Sequence, residues 1–199
     1  MIEIDPSSLN ARDMMLLLHG LIVPRPIAWV STATSETQAN LAPHSFFNAV
    51  SSYPPILMFS SSHAPTRPGG MKDTIVNIER TQEFVVNLVS ENLLDAMNQS
   101  SAEVASEVDE FDLAGLSKAR SHVVKAPRVA EARASLECRL HSMHTFGESR
   151  AVFGEVVFVH ISEEVWREGR VAPDLLQPVA RLGGALYAGL GNIVRIARP

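Results

Sequence analysis

ASLECRLHSMHTFGESRAVFGEVVFVHI, residues 134–161, decides the fold class. Its two halves are long strand-like runs rich in apolar and β-branched residues, joined by the short FGES connection as in a hairpin. In the first run Leu136, Cys138 and Leu140 are two apart, so on a strand they share one face. Cys138 therefore reads as a core thiol, a catalytic thiol being the minority reading. His141 and His144 face opposite ways on a strand and would share a side only on a helix. With no further Cys/His cluster they read as surface or packed histidines, not metal ligands.

Working outward, PIAWVST (26–32), PPILMFSS (54–61) and EFVVNLV (83–89) read as further strands. Helices are expected over 8–19, over 72–82 with Asp73 as N-cap, and over 91–101. The tail predicts one more short strand pair around Gly191–Asn192. Strands do not alternate regularly with helices, so a doubly wound parallel sheet is disfavoured. The expected architecture is mainly β, an antiparallel barrel with a few short helices. No repeat or low-complexity linker divides it, so residues 1–199 read as a single domain.

Composition narrows the function classes. A 46% hydrophobic chain can bury a real core, so disorder is excluded. A net charge of −5 argues against a nucleic-acid partner. One cysteine allows no internal disulfide. No basic segment precedes an apolar run near the start, and no window of about 18 apolar residues exists, so no membrane association and a cytoplasmic location are expected. From Thr81 to Ser117 there is no Lys or Arg, while Glu103, Glu107, Asp109, Glu110 and Asp112 are acidic. This segment reads as solvated surface, with a lid over a site as the sharper alternative.

Between Thr37 and Thr66 there is no Asp, Glu, Lys or Arg in a chain that is 20% charged. The run contains NLAPHSFFNAV (40–50), in which neutral polar groups alternate with rings. His44 and Ser45 do not form a base and nucleophile, because adjacent residues of an extended chain point to opposite faces. No G-x-S-x-G elbow occurs, which removes a serine hydrolase. MKDTIVNIE (71–79) places Lys72, Asp73 and Thr74 at the start of a helix, where a cation and a hydroxyl beside free N–H groups suit a phosphate. An ordinary capped helix is the plainer reading. The preceding SSSHAPTRPGG (60–70) adds hydroxyls, Arg67 and a Gly-Gly loop that lets backbone approach closely. Neither a P-loop nor G-x-G-x-x-G is present, so triphosphate and Rossmann dinucleotide sites are absent.

Taken in order, PRPIAWVST, NLAPHSFFNAVSSYPP, KDTIVNI with EFVVN, LECRL, GESRAVFGEV and RLGGALY resemble the flavin reductase-like family over roughly Leu21 to Pro199. The resemblance implies an FMN-binding split β-barrel, Greek-key-like, and a homodimer. It implies that Ser31 and Thr32 at a strand end, backbone of Asn40, Leu41 and Ala42, and Ser45 and Phe46 lie along the flavin ring. It implies phosphate contacts from Ser60, Ser62, Lys72, Asp73 and Thr74, with Arg67 as an addition. Many members carry Gly-Asp-His where this chain has Gly147-Glu148-Ser149-Arg150. The histidine associated with nicotinamide stacking is missing, and Arg150 is a candidate for pairing with a substrate phosphate. The implied activity is an NAD(P)H:flavin reductase passing hydride from NADH or NADPH through FMN to free flavin or another acceptor, including a partner monooxygenase. The alternative is an FMN electron carrier or redox sensor without efficient nicotinamide turnover. A barrel kept only as a binding module is disfavoured by the intact KDT and NLAPHSFF.

Overall fold

Seven strands form one antiparallel sheet: β1 (Ala28–Ala33), β2 (Ala39–His44), β3 (Phe46–Ser52), β4 (Pro55–Ser61), β5 (Glu83–Leu88), β6 (Ala134–Phe146) and β7 (Ser149–Ile161). Their spatial order is β2-β1-β5-β6-β7-β4-β3. The computed structural model describes residues 1–35 and 38–198. Thr37, where the charge-free run begins, and Pro199, at the end of the resemblance, lie outside the described residues. The two edge strands β2 and β3 are consecutive in the chain, separated by Ser45 alone, so the sheet curls until its edges meet.

The hairpin over 134–161 forms as its pattern predicts. β6 and β7 pair from Phe146↔Ser149 to Ala134↔Ile161, and Gly147 adopts φ 57° at the turn, a conformation open to glycine without steric cost. β1 is buried on both faces, which explains why its sequence shows no alternation of apolar with charged residues, and its two polar side chains, Ser31 and Thr32, are themselves buried. Ala28 and Val30 join the cluster of Phe59, Phe84, Cys138 and Val152. Ile27 and Trp29 join the opposite cluster of Leu41, Met97 and Phe111.

Five short helices accompany the sheet among the described residues: α1 (Ala11–Leu21), α2 (Asp73–Thr81), α3 (Leu94–Gln99), α4 (Glu110–Leu113) and α5 (Pro173–Leu176). The mainly β expectation therefore holds. α2 sends Ile75 and Ile78 into the same cluster as Phe59 and Phe84. Gln82 ends it in the left-handed region, with its amide on the Ile78 carbonyl. Cys138 is fully buried as its pattern predicts, and burial pushes its thiol pKa up.

Four local expectations are corrected. The N-cap of α2 is Lys72, not Asp73, which is the first helical residue. The helix expected over 91–101 narrows to α3, preceded by a 3-10 turn over Glu91–Leu93. No strand forms around Gly191–Asn192; the last one among the described residues is Tyr187–Ala188, paired with Ala180–Arg181. The acidic segment is not merely solvated surface, because Phe111 is wholly buried in the core and Glu110 is buried beside β2. Among the described residues no helix is long and apolar enough to cross a membrane.

Candidate functional site

The first turn of α2 and the end of β4 build the candidate site. Lys72 at the helix cap has extended backbone and makes no side-chain cap bond, so no side chain of its own covers the helix start. Lys72 lines two cavities. One, of about 120 Å3, is lined by Asn40, Ala42, Arg67, Asp73, Thr74 and Glu110. The other, of about 220 Å3, is lined by Ser61, Ser62, Gly69, Gly70 and Arg150. Burial lowers the Lys72 pKa, with Glu103 pulling against it. Among the described residues no carboxylate stands within ion-pairing distance of Lys72.

Two polar atoms near this cation are buried without partners: Ser61 Oγ and His44 Nε2. Buried polar groups are nearly always hydrogen-bonded, so an orphan hydroxyl on a cavity wall marks a place for a ligand group or water. Burial first, then the charge of Lys72, drives the His44 pKa down to about 3, so the ring is neutral and works as a packed wall against Phe59. A His–Ser catalytic pair is absent, as strand geometry predicts. The Ser45 hydroxyl instead faces Arg25 Nε at 3.5 Å.

Arg67 ties the site to the acidic segment. It pairs with Asp73 at 2.9 Å, donates to Ser106 Oγ at 2.8 Å and also bonds the Val104 carbonyl. Ser106 in turn donates to Asp73 Oδ1 at 2.8 Å. The charge of Asp73 is thereby engaged, leaving Lys72 as the cation open to a ligand.

Glu110 also lines the cavity at Lys72, and sequence reasoning did not single it out. It is 5% exposed and accepts from Asn40 Nδ2 at 2.8 Å and from the Leu41 amide at 3.0 Å. Asp109 takes the Ala39 amide at 3.0 Å in the same way. These two carboxylates cover amides on the edge of β2 that has no neighbouring strand, and Pro43 has none to cover. NLAPHSFF carries no ionic side chain of its own, yet a carboxylate reaches it from a distant segment. Nothing in the local sequence of Glu110 signals this.

Asn40, Ala42, Arg67, Lys72, Asp73 and Thr74 are brought together at one cavity, and Ser62, Lys72 and Arg150 at the other. Other expected residues stand elsewhere. Ser31 and Thr32 are wholly buried, with Ser31 donating to the Pro127 carbonyl and Thr32 accepting from Asn77. The Leu41 side chain is core. Phe46 is exposed on β3, with His19 edge-on and Arg25 over its ring. Ser60 and Ser61 both sit in the ladder, opposite Ala151 and Arg150, and of the two only Ser61 lines a cavity with Lys72.

Residues 20–176 match the sequence model of the flavin reductase like domain. The chain belongs to the flavin reductase-like family. A protein of Aquifex aeolicus is 41% identical over 172 residues, covering 86% of this chain and 87% of its own. Among solved structures, nitrilotriacetate monooxygenase component B from Bacillus cereus is 33% identical, covers 98% of each chain and superposes with a TM-score of 0.91. A Shewanella frigidimarina structure described as having a split barrel domain shares the fold at 21% identity, with 97% and 96% of the two chains covered and a TM-score of 0.83. The curled seven-stranded sheet is thus the split barrel that the ordered motifs imply.

Proposed function

We propose that the protein is an FMN-binding oxidoreductase acting as an NAD(P)H:flavin reductase. The observation that carries this reading is the partly buried, unpaired Lys72 at the uncapped start of α2, beside the orphan hydroxyl of Ser61. Such a group fits a phosphate: the cation gains a counter-charge, the orphan hydroxyl gains an acceptor, and the helix amides point at an anion. Lys72, Thr74, Ser61 and Ser62 are the residues that would hold the phosphate of FMN. When bound, FMN supplies the redox chemistry, accepting hydride from a nicotinamide and passing it to free flavin or another acceptor.

The chain's own residues bind and position. Lys72 anchors the anionic end, and neutral His44 packs the wall behind it without adding charge. Exposed Phe46 and Val50 on edge strand β3 and Tyr53 in the turn after it leave an apolar patch, which supports a second copy of the chain as partner. The monooxygenase component among the neighbours supports an electron-accepting partner enzyme. The hairpin Gly147–Glu148 favours a second reading, an FMN carrier or sensor, because its turn presents Glu148 and Arg150 rather than an imidazole to the cavity at Lys72.

Quenching of FMN fluorescence on titration with the protein tests the binding step, and a colourless protein that quenches nothing overturns the proposal. Anaerobic mixing with NADH or NADPH then separates the two readings. Bleaching of the flavin bands is expected of a reductase; bands that persist with both nicotinamides leave the carrier.

A further inference from the structure

Two hydrogen bonds run from the helix start to the acidic segment with a defined polarity, and a third anchors the acid that receives them. The Thr74 hydroxyl donates to Asn40 Oδ1 at 2.9 Å, and Asn40 Nδ2 donates to Glu110 Oε1 at 2.8 Å. The second carboxyl oxygen, Oε2, holds the Leu41 amide at 3.0 Å. Asn40, Thr74 and Glu110 are all buried and all line the cavity at Lys72. A hydroxyl has one proton. With that proton given to Asn40, Thr74 presents only lone pairs to the cavity, the wrong polarity for an anion beside Lys72.

We propose that Glu110, Asn40 and Thr74 form a proton-gated relay, in which one proton taken up by Glu110 reverses the Asn40 amide and frees the Thr74 hydroxyl to donate to a bound phosphate. The proposal rests on the flavin reading above for the identity of that phosphate. The balance is complete with a single proton from solvent. Glu110 Oε1–H donates to Asn40 Oδ1, the turned Nδ2 donates to Thr74 Oγ, and Thr74 O–H points at the anion. Oε2 keeps the Leu41 amide throughout, so the strand edge is undisturbed. The contacts Thr74–Asn40, Asn40–Glu110 and Glu110–Leu41 are kept in both states.

The surroundings favour uptake. Burial pushes the Glu110 carboxyl pKa up and the charge of Asp73 adds to it, against the Leu41 amide and Asn40. Glu103 and Asp73 face the same cavity as like charges, and Arg67 is engaged by Asp73. Asp109, beside it in the chain, is paired with Lys118. Among the described residues Lys72 is the one cation lining the cavity without an ion pair, and a bound phosphate takes its charge. Anion binding and protonation of Glu110 therefore reinforce each other.

The test is FMN affinity by fluorescence quenching between pH 5.5 and 8.5 for wild type, Glu110→Gln and Thr74→Val, with riboflavin alongside. In Glu110→Gln the amide carbonyl keeps the Leu41 bond while its NH2 donates to Asn40 Oδ1, fixing the reversed state. FMN titrates its own phosphate near pH ~6 in every protein, so the ratio of variant to wild type isolates Glu110. Expected is a ratio that grows in favour of Glu110→Gln by up to about tenfold per pH unit once Glu110 ionises in wild type. Riboflavin should show no such ratio. Calorimetry in buffers of different ionisation enthalpy should find wild type taking up as much as one more proton than Glu110→Gln. Thr74→Val should weaken FMN binding and erase the benefit of Glu110→Gln in the double variant. Parallel pH profiles for wild type and Glu110→Gln overturn the relay, as does a folded Glu110→Gln that binds FMN more weakly at every pH. Absence of FMN binding by wild type at all pH values overturns the flavin reading, and the relay with it.

Discussion

Replacing Lys72 with methionine should move stability and ligand binding in opposite directions. The side chain is partly buried, its pKa is lowered by that burial, and no carboxylate among the described residues pairs with it. An uncompensated cation in such a place costs free energy in the ligand-free fold. Methionine keeps the unbranched apolar stem and removes the charge. Relief of about 1 kcal/mol is expected, which for a domain of this size raises Tm by roughly 2–4 °C. The phosphate, in contrast, loses a charge-assisted hydrogen bond worth about 1.5–3 kcal/mol, so FMN affinity should fall about 10- to 100-fold. Differential scanning fluorimetry without ligand and quenching titrations with FMN and riboflavin read the two effects separately. Riboflavin affinity should barely change. Unaltered FMN affinity in a folded Lys72→Met refutes the phosphate assignment, and a lowered Tm without ligand refutes the claim that Lys72 is uncompensated.

Two further predictions concern the fold. Glu137 is wholly buried, and although burial opposes its ionisation, the amides of His122, Val123 and Val124 together with His160 outweigh it and hold the pKa down at about 2. A depressed carboxyl stabilises the fold above its unfolded pKa, and that stability is lost as pH falls from about 4.5 towards 2. Denaturant melts across that range should show the loss in wild type; Glu137→Gln should be less stable at pH 7 by roughly 2–4 kcal/mol and flatter in acid. Gly154 in β7 has no room for a methyl group, since a Cβ there would meet Phe84 Cζ at 2.4 Å and Cys138 Cβ at 3.3 Å. Gly154→Ala should cost about 1–3 kcal/mol in urea melts, and Gly154→Ala combined with Phe84→Leu should recover part of it. Additive losses in the pair refute the clash.

Much of the architecture was legible because strand and turn signals are local. The β6–β7 hairpin follows from its apolar runs and from Gly147, which accepts the left-handed turn. The start of α2 could be placed within a residue, but its cap could not: Asp73 has the chemistry of a cap, yet the backbone bends one residue earlier, at Lys72. The hydroxyl run Ser60–Ser62 shows a similar limit. Sequence names three serines, while only the register, with Ser60 opposite Ala151 and Ser61 opposite Arg150, decides which of the two strand serines lines the cavity with Lys72.

The sequence by itself therefore determined the class of fold, the family and the helix start at which an anion is expected. Those depend on side-chain periodicity, ordered motifs and neighbours along the chain. The tertiary structure alone decided what surrounds that helix start. Glu110 lies 70 positions from Asn40, and no local pattern pairs them. They meet because the edge of β2 has backbone amides with no neighbouring strand, and α4, anchored by Phe111 in the core, brings carboxylates to cover them. Burial then changes the chemistry of the acid that arrives, raising the pKa of a glutamate that in an extended chain is an ordinary surface charge.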